Sequence, residues 1–86
     1  MILVFTEPFK KALEDLSPIL QKRTRKALKQ LAENPRHPSL RLEKLQGKDN
    51  VWSIRVTRGY RIVLSIEGET AYLRNVDAHD AAYRRP

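Results

Sequence analysis

The chain has 86 residues, with 17 Lys and Arg against 10 Asp and Glu, which gives a formal net charge of +7. It has no cysteine and only two well-separated histidines, which argues against a disulfide framework and a structural zinc site. No apolar run approaches the roughly 18 residues of a membrane span. We therefore expect one soluble cytoplasmic domain over residues 1–86, without metal or cofactor, whose partner is a polyanion or an acidic protein.

The first part of the chain carries the signals of a short strand followed by two helices. Ile2–Phe5 is an apolar, β-prone run, which predicts a short buried strand. Thr6 and Ser17 each precede a proline in the first helical turn and are suitable N-caps. Apolar residues then recur at helical spacing, which predicts a short helix and a longer one that ends near Glu33, before Asn34-Pro35.

The second part of the chain predicts a sheet. Residues 34–50 are a connecting segment rich in turn formers, in which leucines at 40, 42 and 45 are expected to contact the core. The hydrophobic period then changes to two, which predicts strands over 51–57, 60–66 and 70–76, with a two-residue turn at 68–69 and a short polar tail. The predicted fold class is α+β: a short N-terminal strand, a two-helix hairpin, then a three-stranded antiparallel meander, with the helices on one face of the sheet.

The register of the first two meander strands depends on the turn between them. A two-residue turn at 58–59 would pair Val56 with Arg61 and mix apolar with polar side chains on each face. A three-residue loop over 57–59, with Gly59 in the left-handed conformation, pairs Arg55 with Arg61 and keeps one face apolar. We adopt the second register. Because like charges directly opposite each other destabilise a strand pair, the two arginines indicate an anion-binding site.

Two basic surfaces are candidates for binding a polyanion such as a nucleic acid. The predicted sheet face opposite the core has no helix to cover it and carries no acidic residue; its members are Ser53, Arg55, Arg61, Val63, Ser65, Tyr72, Arg74 and Val76. The long helix has five cations within eight residues: Lys22, Arg23, Arg25, Lys26 and Lys29. Such a run is either a solvated helix face or an electrostatic footprint for a nucleic acid such as RNA.

The order of elements and three local motifs resemble the RelE/ParE superfamily of bacterial toxins. The motifs are LEKLQG at 42–47, VWSIRVTRGYRIVLSI at 51–66 and NVDAHDAAYRR at 75–85. The resemblance implies the toxin of a type II toxin–antitoxin system, held inactive by an antitoxin in a hetero-oligomer. RelE-like members are ribosome-dependent mRNA endoribonucleases, so mRNA and ribosomal RNA are the implied partners, whereas ParE-like members inhibit DNA gyrase.

The resemblance also implies roles for individual residues. Metal-independent RNA cleavage requires a base for the 2′-OH, a cation for the pentavalent phosphorane and an acid for the 5′-oxygen. Arg61 matches the transition-state arginine of the family, and Arg55 matches one of two basic positions on the preceding strand. Ser53 stands at the other basic position, a departure that leaves the general base unidentified. His79 and Tyr83 match positions that supply proton transfer or a positioning ring.

Each of these residues also has a structural interpretation. The arginines could be exposed sheet residues or could meet acidic antitoxin side chains, His79 could be solvated, and Tyr83 could pack the tail onto the sheet. Our leading hypothesis from the sequence is a RelE-like mRNA endoribonuclease. The alternatives are a ParE-like gyrase inhibitor and a homologue that binds an antitoxin without catalysis.

Overall fold

The computed structural model describes the backbone of residues 1–84 and the side chains of residues 1–82. The strands are β1 (Ile2–Phe5), β2 (Glu43–Lys44), β3 (Val51–Thr57), β4 (Tyr60–Glu67) and β5 (Thr70–Ala78). The α-helices are α1 (Glu7–Glu14), α2 (Pro18–Glu33) and α3 (His79–Arg84), and a 3-10 helix spans Pro38–Leu40. None of the helices in the described part of the chain is both long and apolar enough to cross a membrane.

The predicted α+β class is confirmed, with a larger sheet than expected. The strands form one sheet in the order β1-β5-β4-β3-β2. The additional members are β2, which pairs antiparallel with β3, and β1, which pairs parallel with β5. The expectation that β1 is buried was wrong, because β1 is an edge strand. Leu3 packs against the core and the Phe5 ring contacts the buried Phe9 edge-on, but Ile2 and Phe5 are 60% and 41% exposed.

Helices α1 and α2 begin at the predicted caps. The side-chain oxygen of Thr6 accepts a hydrogen bond from the Phe9 N–H, and that of Ser17 accepts one from the Leu20 N–H. Helix α2 ends at Glu33, as predicted. The helices cover one face of the sheet and bury an apolar core whose fully buried members include Phe9, Leu31, Leu40, Ile54, Ile62, Leu64 and Leu73.

The predicted pairing of Arg55 with Arg61 is confirmed, but the turn that produces it is not the predicted one. Thr57 pairs with Tyr60, so the turn contains two residues, and a β-bulge shifts the register between Arg55 and Thr57. Val56 is the extra residue of the bulge and takes the place of the third residue in the predicted loop. The pairing of Arg55 with Arg61 is therefore the same in both arrangements. Gly59 has no positive φ, so its expected left-handed conformation was wrong.

A second bulge changes which residues share the polar face of the sheet. Val63 pairs with Asn75 and Leu64 with Leu73, so Arg74 is an extra residue in β5. Beyond this point the faces of β5 are exchanged relative to the predicted register. Val76 therefore pairs with Ile62 and is a core residue, 2% exposed, instead of a member of the polar face.

The same bulge places Asp77 opposite Arg61 on β4. The expectation of a polar face without an acidic residue was therefore wrong. No ion pair joins these two side chains within the described part of the chain, and Asp77 Oδ1 instead accepts a hydrogen bond from the Ala78 N–H at 2.7 Å.

Of the residues expected to form a polar tail, Asp77 and Ala78 extend β5, and His79–Arg84 form helix α3, which packs on β4 and β5. Ala82 is fully buried in a small apolar cluster with Val51 and Val63, against which Leu45 packs. Val51 and Val63 alternate with the core residues of their strands, so this cluster lies on the second face of the sheet. The expectation that no helix covers this face was therefore wrong, and Ser53 on the same face is only 1% exposed.

Candidate anion-binding site

Arg55 and Arg61 make different contacts although they are directly opposed. Arg61 Nη1 donates to the carbonyl oxygens of Thr57 at 2.8 Å, Tyr60 at 3.0 Å and Arg58 at 3.3 Å. One nitrogen of this guanidinium therefore caps the turn between β3 and β4. The side chain of Arg55 makes no hydrogen bond or ion pair with the described residues. The repulsion between the two charges is reduced by turning Arg61 toward carbonyl dipoles, and Arg55 remains available for a ligand.

The two arginines belong to a larger cluster. A cleft of about 410 Å³ is lined by four arginines, Arg41, Arg55, Arg58 and Arg61. Arg58 comes from the turn between β3 and β4, and Arg41 follows the 3-10 helix. Among the described residues, no carboxylate lines this cleft. A guanidinium presents a planar fork of N–H donors that matches phosphate or carboxylate oxygens, so the cleft is suited to an anion.

The basic surface continues from this cleft toward α2. A neighbouring cleft of about 470 Å³ is lined by Arg23 of α2, by Ser39 of the 3-10 helix, and by Arg41, Arg55 and Arg58 again. Ser39 Oγ donates to Gln30 Oε1 on α2 at 3.1 Å, which fixes the loop against the helix. The sheet, the loop and the long helix therefore contribute to one continuous cationic groove.

The position of Arg41 is set by the short segment before it. His37 Nδ1 accepts a hydrogen bond from the Ser39 N–H at 3.2 Å and lies 2.7 Å from Ser39 Oγ, which caps the 3-10 helix. Leu40 is fully buried in the main core. Arg41 itself has φ 46° and ψ 51°, a left-handed backbone that is uncommon for a residue with a Cβ atom.

His79 joins α3 to the same end of the sheet. Its backbone N–H donates to the Gly59 carbonyl oxygen at 2.7 Å, so the start of α3 is bonded to the turn that carries Arg58. The imidazole Nδ1 lies 3.2 Å from Asp80 Oδ1, and the side chain is 43% exposed. His79 is thus accessible beside the hairpin, but it does not line either arginine cleft.

The remaining predicted residues do not gather around the cleft. Ser53 is buried, so an RNA contact at this position does not fit its burial. Arg74 is exposed and its Nη1 donates to Ser65 Oγ at 3.0 Å, outside both clefts. The side chain of Tyr83 lies outside the described residues. The five cations of α2 are all exposed, but only Arg23 lines the groove.

Sequence reasoning missed Arg41 and Arg58 as site residues. Arg58 was assigned to a turn, and Arg41 to a connecting segment, because neither belongs to a periodic pattern. The available signal was the placement of Arg41 between two leucines expected to contact the core, which restricts where its side chain can lie. For a metal the structure offers no support, since the described residues contain no group of three or more His, Cys, Asp or Glu side chains.

Solved structures with the same fold are toxins and toxin–antitoxin complexes. The RelB–RelE antitoxin–toxin complex from Methanococcus jannaschii matches with 26% identity and a TM-score of 0.72, over 96% of this chain and 99% of that chain. The intact RelBE complex from E. coli matches with 24% identity and a TM-score of 0.69, over 87% and 92% of the two chains. The YoeB/ParE toxin from Agrobacterium tumefaciens matches with 20% identity and a TM-score of 0.75, over 92% and 99%.

The family assignment comes from a sequence model. Curated proteins give no match to the chain. The family model described as the ParE-like toxin domain matches residues 18–80, which is well over half of the chain. That stretch contains α2, the whole β3–β5 meander and every arginine of the two clefts. The chain therefore belongs to the ParE-like toxin domain family, within the RelE/ParE superfamily.

Proposed function

We propose that this chain is the toxin of a type II toxin–antitoxin system and acts as a ribosome-dependent mRNA endoribonuclease. The observation that carries the proposal is the convergence of Arg41, Arg55, Arg58 and Arg61 on one cleft without a carboxylate among its described lining residues. Four cations in a concave site favour an anion of concentrated charge. A phosphodiester that gains negative charge in its transition state fits this requirement.

The reaction is an attack of the 2′-OH on the adjacent phosphorus, followed by loss of the 5′-oxygen. A new P–O2′ bond forms and the P–O5′ bond breaks, which yields a 2′,3′-cyclic phosphate and a 5′-OH; the 2′-OH proton is released to solvent water, and the 5′-oxygen gains one proton. Arg55, which has no partner among the described residues, contacts the scissile phosphate in this proposal. Arg61, held by the turn carbonyls through Nη1, directs its other N–H groups at the phosphorane oxygens.

The α3 helix is proposed to supply proton transfer. His79 lies at the start of α3, is bonded through its backbone to Gly59, and exposes its ring. An imidazole within reach of the leaving 5′-oxygen is suited to give it a proton, since its ring nitrogens both donate and accept protons. Tyr83 remains a proposed positioning residue. We assign Ser53 no part in proton transfer, because it is buried.

The proposed partners are an antitoxin, mRNA and ribosomal RNA. Similar solved structures include complexes of a toxin with its antitoxin, which supports an antitoxin partner and a hetero-oligomer for this chain. The net charge of +7 favours an acidic binding segment in that antitoxin. The exposed cations of α2 outside the cleft, Lys22, Arg25, Lys26 and Lys29, are proposed to contact ribosomal RNA. A cytoplasmic location follows from these partners.

The test is cleavage of translated mRNA in a reconstituted translation reaction, read by primer extension. We expect stops within codons at the ribosomal A site with the wild-type protein, and their loss with Arg55→Ala. The matched control is Lys11→Ala, which removes one exposed charge on α1 away from the cleft and is expected to leave cleavage intact. Equal cleavage by Arg55→Ala and wild type would overturn the proposed site.

Gyrase inhibition is the second candidate, and it is favoured by the ParE-like description of the matching family model. A DNA supercoiling assay with purified gyrase separates the two functions. Inhibited supercoiling without mRNA cleavage assigns the chain to gyrase inhibition. Tight antitoxin binding with neither activity assigns it to the homologues without catalysis.

A further inference from the structure

The two arginine clefts share three arginines, and each contains one arginine that the other lacks. Arg61 lines only the cleft at the hairpin, Arg23 lines only the one beside α2, and Arg41, Arg55 and Arg58 line both. A single bound anion would use one cleft and leave the other cationic. An anionic chain with repeating charges can occupy both at once and contact the shared arginines from two sides.

Arg41 carries a second, independent sign of function. Its left-handed backbone directly follows a segment that is held in place, a capped 3-10 helix whose last residue, Leu40, is buried in the core. Non-glycine residues in this conformation are strained and persist where the surrounding structure enforces them, commonly at ligand sites. Arg36, five positions earlier, is exposed and lines a separate cleft of about 290 Å³ together with Arg41, but it lines neither cleft that contains Arg55 and Arg58. Basicity of the loop alone therefore does not explain the placement of Arg41.

The lining of the groove indicates what part of a nucleic acid it recognises. Among the described residues, no aromatic ring and no amide side chain lines either cleft. Stacking on aromatic rings and bidentate amide contacts are the usual means of reading bases, whereas guanidinium groups also bind phosphates irrespective of sequence. The groove is therefore built for a backbone and not for bases.

We propose that the groove binds two consecutive phosphates of a single-stranded RNA backbone without base preference, and that Arg41 is the residue that joins the two phosphate positions. This inference rests on the proposed function for its choice of RNA. It gives Arg41 and Arg23 a specific role, contact with two neighbouring phosphates of one strand, and it predicts that the groove selects for chain length and not for base sequence.

The test measures binding separately from cleavage. The probes are 2′-O-methyl oligonucleotides, which lack the attacking 2′-OH, labelled with a fluorophore and titrated by anisotropy at several salt concentrations. We expect Arg41→Ala to weaken binding of a six-nucleotide probe about tenfold and to reduce the slope of log affinity against log salt by about 0.7. Oligo-U and oligo-A probes are expected to lose affinity equally. The matched control, Arg36→Ala, removes the same charge from the same loop and is expected to change affinity less than about twofold.

Two further variants test the strained backbone and the second phosphate position. Arg41→Gly is expected to lose binding as Arg41→Ala does while melting at no lower temperature than wild type, because glycine adopts the left-handed conformation without a Cβ clash. For wild type, a trinucleotide with two phosphodiesters is expected to bind several-fold more tightly than a dinucleotide with one. Arg23→Ala is expected to abolish that gain.

The outcomes separate this inference from the proposed function. Unchanged affinity and salt slope in Arg41→Ala overturn the inference even if the wild type cleaves mRNA. A loss of affinity confined to one base sequence overturns the proposal that the groove recognises the phosphate backbone. A loss of affinity for an oligoglutamate peptide but not for the oligonucleotides assigns the groove to an acidic protein segment and also overturns it. An Arg41 effect on oligonucleotides in a protein that never cleaves translated mRNA supports the inference and rejects the endoribonuclease.

Discussion

Arg55 and Arg61 face each other across β3 and β4, but only Arg61 is bonded to the fold, through the carbonyl oxygens of Thr57, Tyr60 and Arg58. The two residues are therefore not equivalent although they occupy paired positions. Arg61 stabilises the hairpin turn and lines the cleft, whereas Arg55 lines the cleft without a partner among the described residues. Removing one or the other is expected to have different consequences for stability.

Arg55→Ala is expected to leave the free energy of unfolding unchanged or to raise it by about 0.5 kcal/mol, because it removes a like charge from a directly opposed pair. The proposed activity is expected to be lost in the same variant. Urea denaturation followed by circular dichroism measures the first effect, and growth on expression without an antitoxin measures the second. A loss of stability above about 1 kcal/mol would show that Arg55 has a structural partner.

Arg61→Ala is expected to lower the free energy of unfolding by about 1 kcal/mol, because Thr57 and Tyr60 lose a charged donor at a partly exposed site. Arg61→Lys keeps the charge and one donor and is expected to recover part of this loss. Denaturant titration of both variants, with Arg55→Ala as the matched control, provides the comparison. Equal stability of Arg61→Ala and wild type would remove the turn-capping role.

Thr6→Ala is expected to cost about 2 kcal/mol of folding stability, because Thr6 Oγ1 both accepts from the Phe9 N–H and donates to the Leu73 carbonyl oxygen at 2.6 Å. The equivalent cap of α2, Ser17, accepts only from the Leu20 N–H and is exposed. Ser17→Ala is therefore the matched control, with an expected cost of about 1 kcal/mol. Thermal melts of the pair measure the difference, and a larger effect at Ser17 would contradict it.

Gly68→Ala is expected to lower stability by about 1 kcal/mol, because Gly68 has φ +58° and any Cβ atom there is strained. Gly59, in the neighbouring turn, has no positive φ, and a Cβ atom built on it meets nothing within 4 Å. Gly59→Ala is expected to be neutral within about 0.5 kcal/mol. A large loss of stability in Gly59→Ala, measured by the same thermal melt, would indicate that Gly59 has the left-handed conformation that the sequence predicts.

The register of the hairpin could be predicted because one apolar face determines it. Ile54 and Ile62 must share the core, and that requirement placed Arg55 opposite Arg61 whatever the form of the turn. The turn itself could not be predicted, since a three-residue loop and a two-residue turn with a bulge add the same number of residues. Only the backbone conformation of Val56 and Gly59 distinguishes the two.

The bulge at Arg74 leaves a mark in the sequence, whereas helix α3 leaves none in the periodicity. Strict alternation from Ala71 and Leu73 would put the polar Asn75 on the core face, so the step of three residues from Leu73 to Val76 indicates an extra residue. That residue moves Val76 to the core and Asp77 opposite Arg61. Helix α3 is short and its sequence is mostly polar, so its formation depends on tertiary contacts such as the burial of Ala82. Arg41 reaches the groove through the path of the loop, which local sequence does not specify.

The parallel pairing of β1 with β5 has a consequence for the order of events during synthesis. Ile2–Phe5 leaves the ribosomal exit tunnel well before residues 70–73, which are its partners in the sheet. Until β5 emerges, the backbone of Ile2–Phe5 has no strand to pair with, and its apolar side chains are exposed on the nascent chain. The helical hairpin and the β3–β4 hairpin contain mostly local contacts and can form earlier. The sheet therefore closes last, at the strand whose end leads into α3 and His79.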